Sequence, residues 1–295
     1  MAALPRPRRS ALYIPGSNAR ALDKGRSVAA DVLILDLEDA VSIEAKDMAR
    51  AAVAAAVNVH AYGKREVVVR VNGLETPWIA RDIAAIVAAM PDAVLIPKIS
   101  KPEDIRRARA ALNAAQAPDG LGLWAMIETP LAVLNAGAIA AAAASNSGVS
   151  LDALVIGTND LIRETGMRSL PGRAPLVPAL VQCVLAARAY GIAVLDGTFN
   201  DLNNWDGFRA ECQQGRDLGM DGKTLVHPRQ VPIANEVFAP TADEVIWAEK
   251  VLAAFARPEN ANRAVISVEG KMVERLHERM ALRVIETATA ILPDD

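Results

Sequence analysis

The sequence of 295 residues predicts a TIM (β/α)8 barrel with a C-terminal helical extension. Short apolar runs alternate with amphipathic helical stretches eight times over about 230 residues, which is the pattern of repeated βαβ units. The runs are nearly continuous in Val, Ile and Leu, as is typical of parallel strands buried on both faces. Polar residues close most of these runs. The alternative, a doubly wound open sheet, would concentrate them at one crevice, so the barrel is favoured.

The elements follow in a regular order along the chain. The predicted strands are Ala11–Gly16, Val32–Glu38, Val67–Asn72, Ala93–Ile99, Leu121–Glu128, Ala153–Asp160, Ile192–Thr198 and Lys223–Pro228. Ile105–Ala115 and Pro178–Tyr190 are the clearest helices between them. Thr76-Pro77 and Thr129-Pro130 each pair an N-cap residue with proline at the first helical position. The helices that they begin would direct free backbone N–H groups at the barrel mouth, which favours anions.

The chain continues beyond the eighth strand. A helix is predicted over Thr241–Ala256, a linker over Arg257–Asn262 and a second helix over Gly270–Leu292. We therefore expect a barrel domain over residues 1–256, and over residues 257–295 a linker with a helical lid or subunit-contact arm.

Composition excludes several classes of protein. The 32 Lys and Arg against 35 Asp and Glu give a net charge of −3, and aromatics make up 4%, so the basic stripe of a nucleic-acid binder is not expected. Two cysteines are too few for a disulfide framework and favour a reduced, cytoplasmic setting. Residues 1–10 do not resemble a secretory signal, and no apolar run is long enough to span a membrane.

Charged residues cluster at the C-terminal ends of the predicted strands, where TIM-barrel enzymes build their sites. Asp36 and Glu38 share one face of the second strand, since alternate residues point the same way. Glu128 ends the fifth strand and Asp160 the sixth. These last two carboxylates are either the ligands of a hard cation such as Mg²⁺, or they cap helix termini or pair with Lys98 or Arg70.

The remaining candidates are cations and histidines. Arg70, on the inward face of the third strand, either clamps an anionic substrate or serves as counter-ion to the two acids of the second strand. His227 could touch a ligand or stabilise a turn, and His60 and His277 are expected to face solvent. Serine-hydrolase, P-loop and zinc motifs do not occur in the sequence.

The strand ends, taken in order, resemble the citrate lyase β-subunit-like family of acyl-CoA lyases, which includes malyl-CoA and citramalyl-CoA lyases. Seven segments in one collinear order carry the resemblance: Leu12-Tyr-Ile-Pro-Gly16, Leu33-Ile-Leu-Asp-Leu-Glu-Asp-Ala-Val41, Arg70-Val-Asn72, Leu95-Ile-Pro-Lys98, Ile127-Glu-Thr-Pro130, Gly157-Thr-Asn-Asp160 and Gly222-Lys-Thr-Leu-Val-His-Pro228.

This resemblance implies a Mg²⁺-dependent TIM barrel that acts on 3-hydroxyacyl-CoA esters, usually as a homo-oligomer and often as a trimer. It implies Glu128 and Asp160 as metal ligands and Arg70 as the group that stabilises an enolate. We expect Arg70, Glu128, Asp36 and Glu38 to form the substrate-binding set. Backbone N–H groups beyond the sixth strand would receive the substrate carboxylate.

One segment departs from the family pattern. Glu274 stands where many of these lyases carry a C-terminal acid/base aspartate, and the proline of that motif is absent. The segment is similar to that of malyl-CoA thioesterase paralogues. The leading expectation is therefore a lyase that gives acetyl-CoA and a 2-oxo acid, with Arg70 and Glu274 as catalytic residues. The alternatives are a malyl-CoA thioesterase on the same scaffold and a non-catalytic subunit of a lyase complex.

Overall fold

A computed structural model describes residues 6–59, 62–142 and 149–291. The chain forms two compact units. The larger one, Arg8–Phe238, is called the barrel unit below, and the C-terminal unit comprises, among the described residues, Arg6, Pro7 and 239–291. This grouping places the helix after Thr241 in the C-terminal unit, whereas the sequence analysis assigned it to the barrel domain.

The barrel unit is a closed, eight-stranded parallel barrel, which confirms the predicted fold. Its strands pair in the order of the sequence, and the last strand pairs with the first. The strands are β1 Ser10–Pro15, β2 Val32–Asp36, β3 Glu66–Arg70, β4 Ala93–Ile96, β5 Gly122–Ile127, β6 Ser150–Ile156, β7 Ala193–Asp196 and β8 Gly222–Leu225.

Helices alternate with these strands and cover the outside of the barrel. They are α1 Ala19–Lys24, α2 Lys46–Asn58, α3 Ile79–Ala89, α4 Pro102–Ala114, α5 Pro130–Leu134, α6 Ala136–Ala141, α7 Thr158–Thr165, α8 Val177–Ala189, α9 Trp205–Asp217 and α10 Val231–Phe238. The two helices that the sequence predicted most clearly are α4 and α8.

Alternation along each strand separates two apolar clusters. On β2, Ile34 belongs to the cluster inside the barrel, whereas Leu33 and Leu35 belong to the cluster between strands and helices. On β5, Trp124 and Met126 point inward. Because the period of a strand is two residues, Asp36 continues the inward face of β2, as predicted.

The N-terminal end of the barrel is closed by an ion pair. Nε and Nη2 of Arg8 donate to the two carboxylate oxygens of Glu66 at 2.7 and 2.8 Å. The guanidinium also lies 4.8 Å from the ring centroid of the buried Trp124. This packing leaves the opposite, C-terminal end of the strands as the end where a site can form.

One of the two predicted helix caps is correct. The side chain of Thr129 accepts a hydrogen bond from the backbone N–H of Ala132 and begins α5. The Thr76-Pro77 prediction was wrong, because α3 begins only at Ile79. The hydroxyl of Thr76 donates instead to the carbonyl of Gly73 at 2.7 Å, so this segment closes a local turn before the helix.

Strand β6 ends earlier than predicted. It stops at Ile156, and α7 begins at Thr158, so Asp160 is the third residue of a helix and not the end of a strand. An acidic side chain is favourable in the first turn of a helix, where it faces the positive end of the helix dipole. That local preference explains the correction.

The C-terminal unit contains α11 Ala242–Phe255, an antiparallel hairpin of β9 Val265–Val268 and β10 Lys271–Glu274, and α12 Arg275–Ala290. The prediction of one helix from Gly270 was therefore wrong over its first residues. Glu269 and Gly270 both have positive φ angles, 49° and 79°, which reverse the chain and join the two strands. The end of that predicted helix, Leu292, lies outside the described residues.

No helix could cross a membrane, as far as the described residues extend. The two cysteines, Cys183 and Cys212, are both buried and unpaired. Each lies in a helix of the barrel unit.

Candidate active site

A cavity of about 320 Å³ opens at the C-terminal end of the barrel strands; we call it the mouth cavity. Its lining brings together side chains from most of the strands and the loops that follow them. They include Tyr13, Asp36, Arg70, Met126, Asp160 and Thr224. Asp36, Arg70 and Asp160, which the sequence analysis predicted as site residues, therefore line one cavity.

Arg70 is held in a single orientation at the floor of this cavity. Its Nε and Nη2 donate to the two carboxylate oxygens of Asp36 at 2.7 and 2.6 Å. Its Nη1 lies 3.2 Å from Oε2 of Glu38. Burial would lower the pKa of Arg70, but Asp36 outweighs it and raises that pKa well above the usual value. The predicted pairing of Arg70 with Asp36 and Glu38 is thus present, and the guanidinium stays charged.

Lys98 connects two of the carboxylates. Its ammonium group lies 3.1 Å from Oε1 of Glu38, and its backbone N–H donates to Oε1 of Glu128 at 2.7 Å. The backbone of Lys98 has a positive φ of 57°, a conformation that is unfavourable for residues other than glycine. This left-handed turn directs the N–H at Glu128, and the sequence analysis considered Lys98 only as a possible partner of that acid.

Glu128 is a buried carboxyl with incomplete charge compensation. Burial raises its pKa to about 7; the N–H of Lys98 works in the opposite direction, while Glu38 and Asp160 add to the increase. Gly157 approaches it so closely that a Cβ there would lie 2.6 Å from Oε2. A cation beside Glu128 would offset this surplus of negative charge.

Asp160 supplies the second carboxylate at the mouth. It is half-buried, and one of its oxygens lies 2.5 Å from Nη2 of the exposed Arg163. Two interpretations of Asp160 keep support. It lines the cavity, as a metal ligand would, and it also occupies the first turn of α7, as a partner of a helix terminus would. Its charge contributes to the raised pKa of Glu128.

The donor set suits a hard cation if other oxygens complete the coordination. Glu128 and Asp160 offer carboxylate oxygens, which Mg²⁺ prefers, and their surplus of negative charge calls for a cation. Within the described residues, three or more Asp, Glu, His or Cys side chains do not come together in a group that could hold a metal ion. Water and substrate oxygens would have to supply the remaining ligands.

A second, larger cavity of about 600 Å³ adjoins the mouth cavity. Thr158, Asn159, Thr198 and Asn200 line both of them. The shared lining gives a ligand in the mouth cavity polar surroundings on the side of β6 and β7.

Other predicted residues have different surroundings. Nδ1 of His227 accepts a hydrogen bond from the backbone N–H of Arg229 at 3.1 Å, which supports the turn role. His60 lies outside the described residues. Glu274 belongs to the C-terminal unit, where its backbone N–H donates to Nδ1 of His277 at 2.9 Å. Its part in a reaction stays a prediction.

Sequence reasoning missed Tyr13. The guanidinium carbon of Arg70 lies 4.7 Å from the centroid of its ring, and the hydroxyl reaches Sδ of Met126 at 3.9 Å. A signal was available, because Tyr13 alternates with Ala11 on β1 and so shares the inward face with it.

Comparison with known proteins agrees with this geometry. Residues 9–228 match the family model described as HpcH/HpaI aldolase/citrate lyase. A (3S)-malyl-CoA thioesterase of Cereibacter sphaeroides is 46% identical over 285 residues, covering 97% of this chain and 96% of that protein. The citrate lyase subunit beta of Leuconostoc mesenteroides is 36% identical over 290 residues, covering 97% and 94%.

A solved structure extends the comparison to the fold. The CitE protein of Mycobacterium tuberculosis, in complex with magnesium, acetoacetate and coenzyme A, superposes with a TM-score of 0.74. It shares 27% sequence identity and covers 95% of this chain and 97% of its own.

Proposed function

The chain belongs to the HpcH/HpaI aldolase/citrate lyase family, and we propose that it is a Mg²⁺-dependent malyl-CoA thioesterase that releases malate and free coenzyme A. The observation that carries the proposal is the 46% identity to a (3S)-malyl-CoA thioesterase over 97% of the chain. The citrate lyase subunit beta is less similar, at 36%. Glu274, in place of the lyase aspartate, favours the same choice.

Glu128 and Asp160 would hold the Mg²⁺. Support comes from the raised pKa of Glu128, whose surplus negative charge a cation would offset, and from the neighbour that contains magnesium and coenzyme A. When bound, the ion would orient the oxygens of the acyl group and polarise them as a Lewis acid.

Arg70 would stabilise the charge that develops on the substrate. In hydrolysis, water attacks the thioester carbonyl carbon, and the carbonyl oxygen becomes negative in the tetrahedral intermediate. The guanidinium is pre-oriented by Asp36 and Glu38, so it needs no rearrangement to meet that charge. Collapse of the intermediate expels the thiolate of coenzyme A, which takes up a proton, and leaves the malate carboxylate.

The second candidate is the carbon–carbon lyase that the resemblance implied. A base would remove the proton of the hydroxyl group, the bond between the two carbons would break, and Arg70 would stabilise the enolate of acetyl-CoA. The similarity to citrate lyase subunit beta supports this reaction. A non-catalytic subunit is the third candidate, and product analysis separates all three.

We propose Glu274 as the acid/base group of the reaction, in a cytoplasmic homo-oligomer with a trimer favoured. Glu274→Gln should slow whichever reaction is found, and unchanged rates would remove this residue from the mechanism. Light scattering on the purified protein would test the trimer.

The deciding experiment follows both products of malyl-CoA in the presence of Mg²⁺. A thiol reagent measures free coenzyme A, and glyoxylate is measured in the same samples. Burial raises the pKa of both Cys183 and Cys212 to about 12, so the folded protein should not react with the reagent. We expect one thiol for each malyl-CoA consumed and no glyoxylate.

Other products would contradict the proposal. Glyoxylate with acetyl-CoA, and no free thiol, would establish the lyase instead. Mg²⁺-dependent thermal stabilisation by CoA esters, without any turnover, would establish a binding subunit.

A further inference from the structure

The floor of the mouth cavity carries a hydrogen-bond donor that the proposed reaction has not used. The hydroxyl of Tyr13 lies 3.9 Å from Sδ of Met126. A thioether sulfur is a weak acceptor, whereas a buried phenol ordinarily finds a stronger one. This donor is therefore poorly satisfied by the protein itself.

Arg70 brings a second donor to the same atom. Its Nη1 lies 3.8 Å from Sδ of Met126, while Nε and Nη2 are both taken by Asp36. Nη1 also forms ion pairs with Glu38 at 3.2 Å and Asp39 at 4.0 Å, but the hydrogen bond that it donates goes to the sulfur. Two strong donors thus converge on one weak acceptor at the floor of a cavity.

Such convergence is what an oxygen atom with developing negative charge requires. We propose that Tyr13 is a catalytic residue whose hydroxyl, together with Nη1 of Arg70, binds the carbonyl oxygen of the substrate's thioester. The inference rests on the proposed function. It holds for hydrolysis and for cleavage alike, because negative charge develops on that oxygen in both reactions.

The surroundings of Tyr13 keep its hydroxyl a donor. Burial raises the pKa of the phenol well above its usual value; Arg70 opposes this effect, and the nearby carboxylates, led by Asp36, reinforce it. The ring also packs against the guanidinium, with 4.7 Å between the ring centroid and the guanidinium carbon. Tyr13→Phe therefore removes the donor and retains the ring that covers Arg70.

Another tyrosine of the barrel unit offers a control. The hydroxyl of Tyr62 donates to the backbone carbonyl of Leu22 at 3.1 Å, and the residue does not line the mouth cavity. Tyr62→Phe deletes the same atom from a buried site, whereas Tyr13 is half-buried. Tyr62→Phe should lower thermal stability and leave turnover at the wild-type rate.

The experiment measures kcat and KM for malyl-CoA in the wild type, Tyr13→Phe and Tyr62→Phe, with thermal unfolding of each. Removing one oxyanion donor lowers kcat by about 10²-fold to 10³-fold in other enzymes, and we expect about 10²-fold for Tyr13→Phe, with the smaller change in KM. A thioether analogue of malyl-CoA, which lacks the carbonyl oxygen, should bind equally well to the wild type and to Tyr13→Phe.

The outcomes separate this inference from the proposed function. An active wild type with an equally active Tyr13→Phe would overturn the role of Tyr13 and leave the function standing. Weaker binding of the thioether analogue to Tyr13→Phe would also overturn it, because that ligand has no carbonyl oxygen to hold. A wild type that releases neither coenzyme A nor glyoxylate would overturn the proposed function, and the inference with it.

Discussion

Two clusters of buried charge in the barrel unit use the same types of residue with different balances. The mouth cluster consists of Asp36, Glu38, Arg70, Glu128 and Asp160. The wall cluster consists of Arg173, Asp196, Glu211 and Lys223. In the wall cluster two cations meet two carboxylates. In the mouth cluster four carboxylates meet one buried cation, Arg70, and the exposed Lys98 and Arg163 pair with Glu38 and Asp160. The buried Lys46 donates instead to the backbone carbonyls of Leu37 and Glu38.

The wall cluster is closed by its own contacts. Nζ of Lys223, which is fully buried, lies 2.8 Å from Asp196 and 2.7 Å from Glu211. Nη1 of Arg173 lies 2.8 Å from Asp196, although its Nη2 has no partner among the described residues. Burial would raise the pKa of Asp196, but Lys223 and Arg173 outweigh it and the pKa is lowered.

The opposite pKa shifts show what charge balance means for function. Burial acts on both carboxyls: at Asp196 the cations Lys223 and Arg173 outweigh it and lower the pKa, whereas at Glu128 burial prevails and raises the pKa to about 7. A cluster whose positive and negative charges balance needs no bound ion, whereas a cluster with a surplus of carboxylates is neutralised by a bound cation. We therefore expect mutations in the mouth to affect turnover and mutations in the wall to affect stability.

The largest effect on turnover is expected from Asp160→Asn. The substitution keeps the size of the side chain and removes a metal-binding charge from the mouth. Because a bound metal contributes several kcal/mol of charge stabilisation, turnover should fall by about 10³-fold or more, with the melting temperature retained. Full activity of this variant in the presence of a chelator would remove the metal site from the mechanism.

Lys223→Met tests the wall cluster. The variant leaves Asp196 and Glu211 buried with Arg173 as their only remaining cation, so the free energy of unfolding should decrease by about 3–5 kcal/mol. Turnover per folded molecule should stay near the wild-type value, and denaturant unfolding with parallel activity assays would measure both quantities.

The exposed pair of Arg209 and Glu236 gives the control, since Arg209→Met should hardly change the unfolding midpoint. A loss of turnover without a loss of stability would contradict the comparison.

Arg70→Lys asks whether the mouth arginine is more than a counter-ion. Lysine keeps the charge but loses the planar fork, which binds both oxygens of Asp36 and directs Nη1 toward Sδ of Met126. We expect kcat to fall by about 10²-fold with malyl-CoA as substrate. If kcat is preserved and only thermal stability falls, Arg70 is a structural counter-ion in the mouth cluster, as Lys223 is in the wall cluster.

Gly157→Ala is the smallest change with an expected effect on the mouth. The added methyl group would overlap Cβ of Glu128 and approach Oε2 to 2.6 Å, so the carboxyl must move. A displacement of about 1 Å at a reacting group can lower the rate by up to about 10²-fold, and we expect a loss between tenfold and that value. The matched control is Gly137→Ala in α6, where a Cβ meets nothing within 4 Å. Equal rates for the two variants would show that the position of Glu128 is not critical.

The sequence predicted the barrel because its signals are local. Nearly continuous apolar runs separated by helical stretches indicate the strands, and the two-residue period of a strand determines which residues share a face; Ile34 and Asp36 follow that rule. The predicted pairing of Arg70 with Asp36 also follows from it, because the two residues are register partners on adjacent strands.

Errors arose where local signals were ambiguous. The residues after Gly270 carry helical periodicity, and the hairpin depends on the positive φ angles of Glu269 and Gly270, only the second of which is a residue that favours them. Gly157, Thr158 and Asn159 separate Asp160 from the apolar strand, but these residues suit a strand end as well as a helix start, so the start of α7 could not be placed from the sequence.

The sequence by itself determined the barrel, its inward faces and most of the charged residues at its mouth, since each of these depends on spacing along one segment. Only the tertiary structure decided which charges balance one another. Lys223 and Arg173 meet Asp196 from segments far apart in the chain, and Tyr13 and Arg70 converge on Met126 from three different strands. These contacts exist only once the barrel has closed, because closure brings side chains of distant segments within hydrogen-bond distance.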